Sequence, residues 1–141
     1  MEILIRALEP SNYDAVYDLI SNELGYDNLN AEKTLKRIET IRNHRDYKTF
    51  VAVYSDKVIG FIGLFKGIAF NIDGVYMQVI ALAVNKDYQN KGVGTRLLEN
   101  YARSENIDSL GLNSGLQRGT AHIFYELRGY VKKSYCFTKS L

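Results

Sequence analysis

Apolar residues recur along the chain at two spacings, and each spacing predicts one kind of element. Spacings of three and four predict a first helix that opens after Pro10 and ends at Gly25, and a second helix that Asn30 caps. Alternating or continuous apolar runs predict four strands before residue 85. These strands cover residues 3–8, 49–54, 58–65 and 74–84.

The run GVYMQVIALAV, residues 74–84, is the most apolar long stretch of the chain and suits a central strand buried on both faces. Behind it the pattern predicts a helix over Gly92–Arg103 and a short strand over Asp108–Asn113. A last helix over Thr120–Arg128 precedes a closing strand in VKKSYCFTKSL. The order β-α-α-β-β-β-α-β-α-β, with hairpins first and a βαβ unit late, predicts a mixed α/β sheet.

The composition fits one globular domain over residues 1–141. Apolar residues make up 46% and charged residues 24%, which argues against the disordered and fibrous classes. A formal net charge of +2 is too small to indicate nucleic acid or an anionic membrane as a partner.

Cysteine content and the lengths of the apolar runs predict a soluble protein of the cytoplasm. The single cysteine, Cys136, allows no internal disulfide and fits a reducing compartment. The stretch MEILIRALEP lacks a basic n-region and a long apolar h-region, so we expect no signal peptide. No apolar run approaches the length of a membrane span.

Two glycines, Gly92 and Gly94, lie between the buried strand and the third helix. A Walker phosphate loop, G-x-x-x-x-G-K-[ST], occurs nowhere in the chain. The dinucleotide fingerprint G-x-G-x-x-G fails because Leu97 stands at the third glycine position and a long connection precedes the motif. The remaining pattern is Q-x-x-G-x-G over residues 89–94.

The Q-x-x-G-x-G segment has the chemistry of a diphosphate site. Backbone N–H groups at the start of a helix are unsatisfied and lie at the positive end of the helix dipole. Glycines let a phosphate approach without a Cβ in the way, and Lys91 and Arg96 add positive charge. The alternative is that Gly92 and Gly94 only shape the start of the helix.

Two motifs, in this order, resemble those of the GNAT superfamily of acetyl-CoA-dependent N-acetyltransferases. The first is a strand ending in A-L-A-V followed by Q-x-x-G-x-G-T-x-L-L, and the second is LNSGLQRGTAHIFYELRGY, with its pattern A-H-x-F-Y-x-x-x-G-[FY]. The order of elements agrees with the family from residue 3 to the C-terminus. The resemblance implies a central mixed, mostly antiparallel sheet of about six to seven strands.

The resemblance also implies that acetyl-CoA is the co-substrate, held without a metal ion by the loop and the strand before it. In the family the pantetheine arm bonds the backbone of the fourth strand like an added strand, and a strand amide can face the carbonyl oxygen as charge develops there. Ser114 is implied as a further contact of the cofactor arm. The implied binding residues are Leu82, Ala83, Val84, Gln89, Asn90, Lys91, Gly92, Val93, Gly94, Thr95 and Asn113.

Tyr125 stands at the position of the family's tyrosine, which implies that its phenol protonates the leaving thiolate. A phenol with a pKa near 10 can donate to a thiolate whose conjugate acid lies near 8.5 only if it is well positioned. The alternative is that Tyr125 is one more core aromatic residue. We interpret His122 and Arg118 as structural residues, and Cys136 as a small apolar residue of the closing strand.

The group that deprotonates the amine stays open. Some members of the family use a Glu on the fourth or fifth strand, but residues 75–84 contain no carboxylate, and Gln78 is their only side-chain amide. An ordered water, or a carboxylate from the early helices such as Glu23, is the remaining alternative.

The first 32 residues, which form much of the acceptor wall in the family, are acidic. Their single base is Arg6, and their acidic residues are Glu2, Glu9, Asp14, Asp18, Glu23, Asp27 and Glu32. An acidic wall attracts a cationic amine, whereas the alternative is a solvated helix face. Three hypotheses follow: acetyl transfer to a small cationic amine, acetyl transfer to a protein, and CoA binding without turnover. The resemblance further implies a homodimer.

Overall fold

In the part of the chain that the structure describes, five strands form one sheet whose spatial order follows the chain, β1-β2-β3-β4-β5. Neighbouring strands from β1 to β4 are antiparallel. The strands are β1 Leu4–Ala7, β2 Tyr47–Tyr54, β3 Lys57–Gly67, β4 Tyr76–Val84 and β5 Ser109–Leu112. The helices are α1 Tyr13–Asn22, α2 Ala31–Asn43, α3 Val93–Ser104 and α4 Gly119–Leu127, with short 3-10 turns at Pro10–Asn12 and Lys86–Tyr88.

This computed structural model describes residues 1–105 and 107–141. They divide into two compact units, Met1–Gly111 and Leu112–Leu141. The first unit contains α1 to α3 and nearly all of the sheet, and the second contains α4 and the C-terminal segment. None of the described helices is long and apolar enough to cross a membrane. A single domain and a homodimer stay predictions.

Local sequence signals place the ends of the early helices, as predicted. The side-chain oxygen of Asn30 accepts a hydrogen bond from the Lys33 amide at 2.9 Å, and α2 begins at the next residue. Beyond α1, Gly25 has a φ of 78°, a left-handed conformation that glycine adopts without a Cβ clash. The amide of Tyr26 then donates to the Ile20 carbonyl at 3.4 Å, which closes the end of the helix.

The predicted hairpin is formed by β2 and β3, with a turn of two residues. Ser55 and Asp56 both have positive φ, 48° and 62°, and Tyr54 pairs with Lys57. Two successive left-handed residues match the right-handed twist of the flanking strands. Next to the turn Tyr54 pairs with Lys57, and a bulge between Ala52 and Val53 then shifts the register by one residue, so that Val51 lies opposite Phe61.

The sheet is packed on both faces. Successive side chains along a strand point to opposite faces of the sheet. Helices α1 and α2 pack against one of these faces. The buried cluster there contains Leu8, Val16, Leu19, Ile38, Val51, Phe61 and Ala83. On the other face α3 lies close to the backbone, since a Cβ at Gly60 would stand 3.3 Å from Leu97 Cδ1. The rings of Phe50 and Tyr101 are 5.3 Å apart on that face.

The prediction of a closing strand is wrong. Residues 131–141 are all exposed and none of them lies in a strand, so the described sheet has five strands rather than six or seven. Cys136 is likewise exposed rather than part of a strand. Weak alternation of apolar and polar residues is compatible with a strand. A strand also needs the edge of a neighbouring strand for its hydrogen bonds, and the local sequence does not show whether such an edge is near. Tyr135 and Phe137 consequently remain 79% and 91% exposed.

Candidate active site

Two residues of the connection from β4 to α3 have a left-handed backbone conformation. The backbone φ is 61° at Asn90 and 83° at Gly92. Asparagine tolerates this region better than most side chains, and glycine adopts it freely. Gly92 is the N-cap of α3, and the helix starts at Val93. The third helix therefore begins within one residue of its predicted start at Gly92.

The amides of Val93 and Gly94, at this helix start, have no acceptor in the described part of the chain. Gly92 offers no side chain to cap the helix, and the first intrahelical bond runs from the Arg96 amide to the Gly92 carbonyl at 3.0 Å. The amides of Val93 and Gly94 have no hydrogen-bond partner among residues 1–105 and 107–141. A Cβ built at Gly92 meets nothing within 4 Å, so the approach is open. This donor set and open space fit a diphosphate.

Basic side chains surround the same connection. The ammonium groups of Lys91 and Lys57 lie 5.9 Å and 5.5 Å from the centre of the Tyr88 ring. Both lysines and Arg96 are exposed. Positive charge at the mouth of the loop favours an anionic ligand, although water screens such exposed groups.

The outer edge of β4 extends beyond β5. The amide of Asp108, just before β5, donates to the carbonyl of Val75, just before β4, at 3.2 Å. Because both strands continue from this bond as neighbours in the sheet, β5 runs parallel to β4. β5 has four residues and β4 has nine, so β5 accompanies only the first part of β4. We infer that Leu82 to Val84, including Ala83, offer backbone groups at an open edge.

A bulge interrupts β4 immediately before this edge. Gly63 pairs with Ala81, and Leu64 pairs with Val79, which leaves Ile80 as an extra residue. A bulge bends its strand and redirects the groups that follow. The carbonyl of Val84, at the end of the edge, accepts a hydrogen bond from the Gln89 side chain at 2.9 Å.

Glu23, from the end of α1, holds the connection in place. One carboxylate oxygen accepts a hydrogen bond from the Lys86 amide at 3.1 Å, and the other accepts more weakly from Gln89 Nε2 at 3.5 Å. The Gln89 side chain therefore links Glu23 to Val84, rather than pointing away from the protein. This geometry makes Glu23 a positioning residue for the loop. No local signal marks that role, because the partners lie 63 and 66 residues away.

Replacing Glu23 or Gln89 with alanine is expected to raise the Kd for acetyl-CoA about fivefold, because the loop loses its support before binding. The effects of the two substitutions should be less than additive in the double variant, since they remove a shared contact. Isothermal calorimetry measures both quantities. Glu39→Ala, which removes an exposed carboxylate from α2, is the control and should leave the Kd unchanged. A Glu23→Ala enzyme with normal affinity but no turnover would instead indicate the general base.

Tyr125 lies on α4, in the second unit. Burial raises the pKa of its phenol above the usual value, and the nearby charge of Arg118 opposes this shift. Its ring packs against those of Phe124 and Tyr130, at 5.3 Å and 5.6 Å. The phenol therefore carries its proton at physiological pH.

Two further polar residues of the second unit, His122 and Ser114, have defined surroundings. His122 Nε2 lies 2.8 Å from the Gly115 carbonyl, and because a carbonyl only accepts, this nitrogen donates. His122 thus links α4 to the loop before it, a contact that agrees with its interpretation as a structural residue. Ser114 Oγ is buried and has no partner among the described residues, whereas Asn113 is exposed. A buried hydroxyl without a partner is a candidate ligand contact.

Comparison with known proteins identifies a family and a common fold. Residues 45–132 match the family model described as acetyltransferase (GNAT) domain. An uncharacterized N-acetyltransferase of Bacillus subtilis (strain 168) is 28% identical over 115 residues, which cover 79% of this chain and 80% of the relative.

Solved structures agree over the whole length. A GNAT family acetyltransferase from Staphylococcus aureus subsp. aureus USA300_TCH1516 is 29% identical, with a TM-score of 0.81 and 100% of each chain covered. The aminoglycoside N-acetyltransferase AAC(6')-Iy, solved with the bisubstrate analog CoA-S-monomethyl-acetylneamine, is 12% identical with a TM-score of 0.84. That alignment covers 100% of this chain and 99% of the other, and at this identity it shows the fold alone.

Proposed function

This chain belongs to the GNAT acetyltransferase family, and from that premise we propose that it transfers the acetyl group of acetyl-CoA to a primary amine of a small cationic molecule. The observation that carries the proposal is the pair of unpartnered amides at Val93 and Gly94, with open space at Gly92. Family membership makes the diphosphate of acetyl-CoA the natural ligand of these donors.

Binding of acetyl-CoA would use the loop and the edge of β4. The amides from Lys91 to Thr95 receive the diphosphate at the positive end of α3, and Lys91 adds charge. The pantetheine arm bonds the open edge at Leu82 and Ala83 as an added strand would. An amide of this edge then stabilises the carbonyl oxygen as negative charge develops on it. Acetyl-CoA supplies the activated acyl group.

Tyr125 serves as the general acid of this proposal. The amine nitrogen forms a bond to the acetyl carbon, the carbon–sulfur bond breaks, and the phenol gives the departing thiolate a proton. The nitrogen releases its own proton to water, and a proton from water restores the phenol. The raised pKa of Tyr125 keeps the phenol protonated, but it also makes the transfer to a thiolate less favourable in equilibrium terms. Close positioning has to compensate for this cost, since proton transfer requires hydrogen-bond distance.

The acceptor is proposed to be a small cation because acidic residues outnumber bases in the first 32 residues. The acidic region is weaker than its count suggests, because Glu23 holds the loop and Glu32 pairs with Lys36 at 3.4 Å. Asp14 and Asp18 are exposed on α1, and Asp27 is exposed beyond it. The amine attacks directly, in a ternary complex with acetyl-CoA.

Release of free thiol from acetyl-CoA tests the proposal across a panel of polyamines, aminoglycosides, amino acids and lysine peptides. We expect turnover with at least one small cationic amine and a product that carries one acetyl group by mass spectrometry. Turnover of peptides alone would favour a protein acetyltransferase. Tight CoA binding with no thiol release on any acceptor would favour a binding module, and absence of CoA binding would refute the proposal.

A further inference from the structure

A cleft lies at the end of the sheet opposite the glycine loop. Its volume is about 430 Å³, a size that accepts a small metabolite. The strand register defines its place: Val84 pairs with Gly60 at the loop end, whereas Tyr47 pairs with Phe65 at the other end. The cleft is lined by Ala7, Leu8, Arg42, Asn43, His44, Arg45, Tyr47, Lys48, Thr49 and Phe50.

The lining of the cleft is basic and contains no carboxylate. Arg42, Arg45 and Lys48 contribute permanent positive charge, and His44 adds an imidazole. Arg45 lies beside a carboxylate outside this lining, since Asp46 Oδ1 is 3.5 Å from Arg45 Nε. Arg42 and Lys48 form no ion pair with any described residue. The cleft therefore has a surplus of positive charge that no side chain of its own neutralises.

Arg42 is anchored rather than free in solvent. Its Nε donates to the Leu8 carbonyl at 3.0 Å, and one terminal nitrogen lies 3.5 Å from the Asn43 side-chain oxygen. An anchored guanidinium loses less freedom when it binds an oxyanion. Its remaining N–H groups are donors of the planar kind that match phosphate and carboxylate oxygens.

His44 lines the same cleft, and a backbone hydrogen bond defines which of its ring nitrogens is the donor. The amide of Asp46 donates to His44 Nδ1 at 3.1 Å. Because an amide can only donate, Nδ1 accepts, and the ring proton resides on Nε2. The ring is held edge-on against Tyr47, with centroids 5.0 Å apart. The backbone and a neighbouring ring thus fix both the tautomer and the orientation of His44.

We propose that this cleft is a second ligand site, which binds a small molecule through a phosphoryl group. Arginine, lysine and imidazole donors arrive from α2, from the connection that follows it and from β2. Several donors and multiple positive charges suit a dianionic, tetrahedral group with several acceptor oxygens better than a planar carboxylate. Tyr47 and Phe50 provide apolar surface for the rest of the ligand. This site does not depend on the acetyl-CoA loop.

The chain has two histidines, and they allow a direct test. Inorganic phosphate is titrated into the full chain at constant pH and constant ionic strength, and the imidazole signals are followed by NMR. We expect the His44 signals to shift saturably in the millimolar range while those of His122, in the second unit, stay in place. Repeating the titration with CoA present separates this site from the glycine loop, and the His44 response should persist.

Charge substitutions make the test specific. Lys48→Gln should weaken phosphate binding roughly tenfold, because it removes a charged donor. Arg45→Gln should weaken it less, because this guanidinium is exposed and lies beside the Asp46 carboxylate. Lys33→Gln removes the same charge from an exposed position at the start of α2 and should leave binding unchanged. Acetate at equal ionic strength should bind more weakly than phosphate. No saturable His44 shift, an equal shift of both histidines, or an equal loss in Lys33→Gln would overturn the proposal.

Discussion

Replacement of Gly92 by valine is expected to raise the Kd for acetyl-CoA by about 100-fold. Two charge-assisted hydrogen bonds, from the amides of Val93 and Gly94, are at stake, and each contributes roughly 1.5 kcal/mol or more. The new side chain would fill the open space through which the diphosphate reaches them. Gly92→Ala should have the same effect on a smaller scale. Calorimetric titration with acetyl-CoA measures both.

Gly25 provides a matched control for backbone strain. Its φ of 78° is close to the 83° of Gly92, and a Cβ at either position meets nothing within 4 Å. Valine should therefore destabilise the protein comparably at both sites, by about 1–2 kcal/mol for a side chain in the left-handed region. The Gly92 variant should lose much more affinity than the Gly25 variant, whose loss should not exceed the roughly fivefold effect expected from the nearby Glu23. If both variants, still folded by circular dichroism, bind acetyl-CoA equally well, these amides do not hold the diphosphate.

Tyr125→Phe is expected to lower kcat about 100-fold with little change in the Kd for acetyl-CoA. A positioned general acid typically contributes at least this factor, and removal of one hydroxyl leaves the ring packing against Phe124 and Tyr130 intact. Thiol release at saturating substrates measures kcat. Tyr135→Phe, which changes an exposed tyrosine of the same unit, should retain full activity. An unchanged kcat in Tyr125→Phe would exclude the acid role.

The pH dependence supplies a second readout for Tyr125. A general acid works in its protonated form, and burial raises the pKa of this phenol, so kcat should decline only above about pH 10. Burial, together with the Glu105 charge, also raises the pKa of Tyr101. Both groups contribute stability below pH 10 that is lost as the pH rises through their folded-state pKa values. Brief pH jumps with a return to pH 8 separate reversible loss of kcat from unfolding.

Short-range patterns in the sequence already determine much of the loop and the fold. Asn30 caps α2 through a hydrogen bond to a residue three positions away. Gly92 is the N-cap of α3, a role that depends on its own backbone torsions and those of its neighbours. The hairpin turn at Ser55 and Asp56 is equally local. Such features depend on the residues next to them, so spacing and residue type suffice to predict them.

Only the tertiary structure decides features that need a partner distant in the chain. Glu23 accepts a hydrogen bond from the β4–α3 connection, 63 residues later in the chain. At the cleft, Arg42 donates to the carbonyl of Leu8, 34 residues earlier in the chain. The C-terminal residues 131–141 have a strand-like pattern but no strand pairing, and the pKa of Tyr125 depends on its burial. Pairing, burial and charge proximity are set by which segments meet in space, and periodicity along one segment contains no information about that meeting.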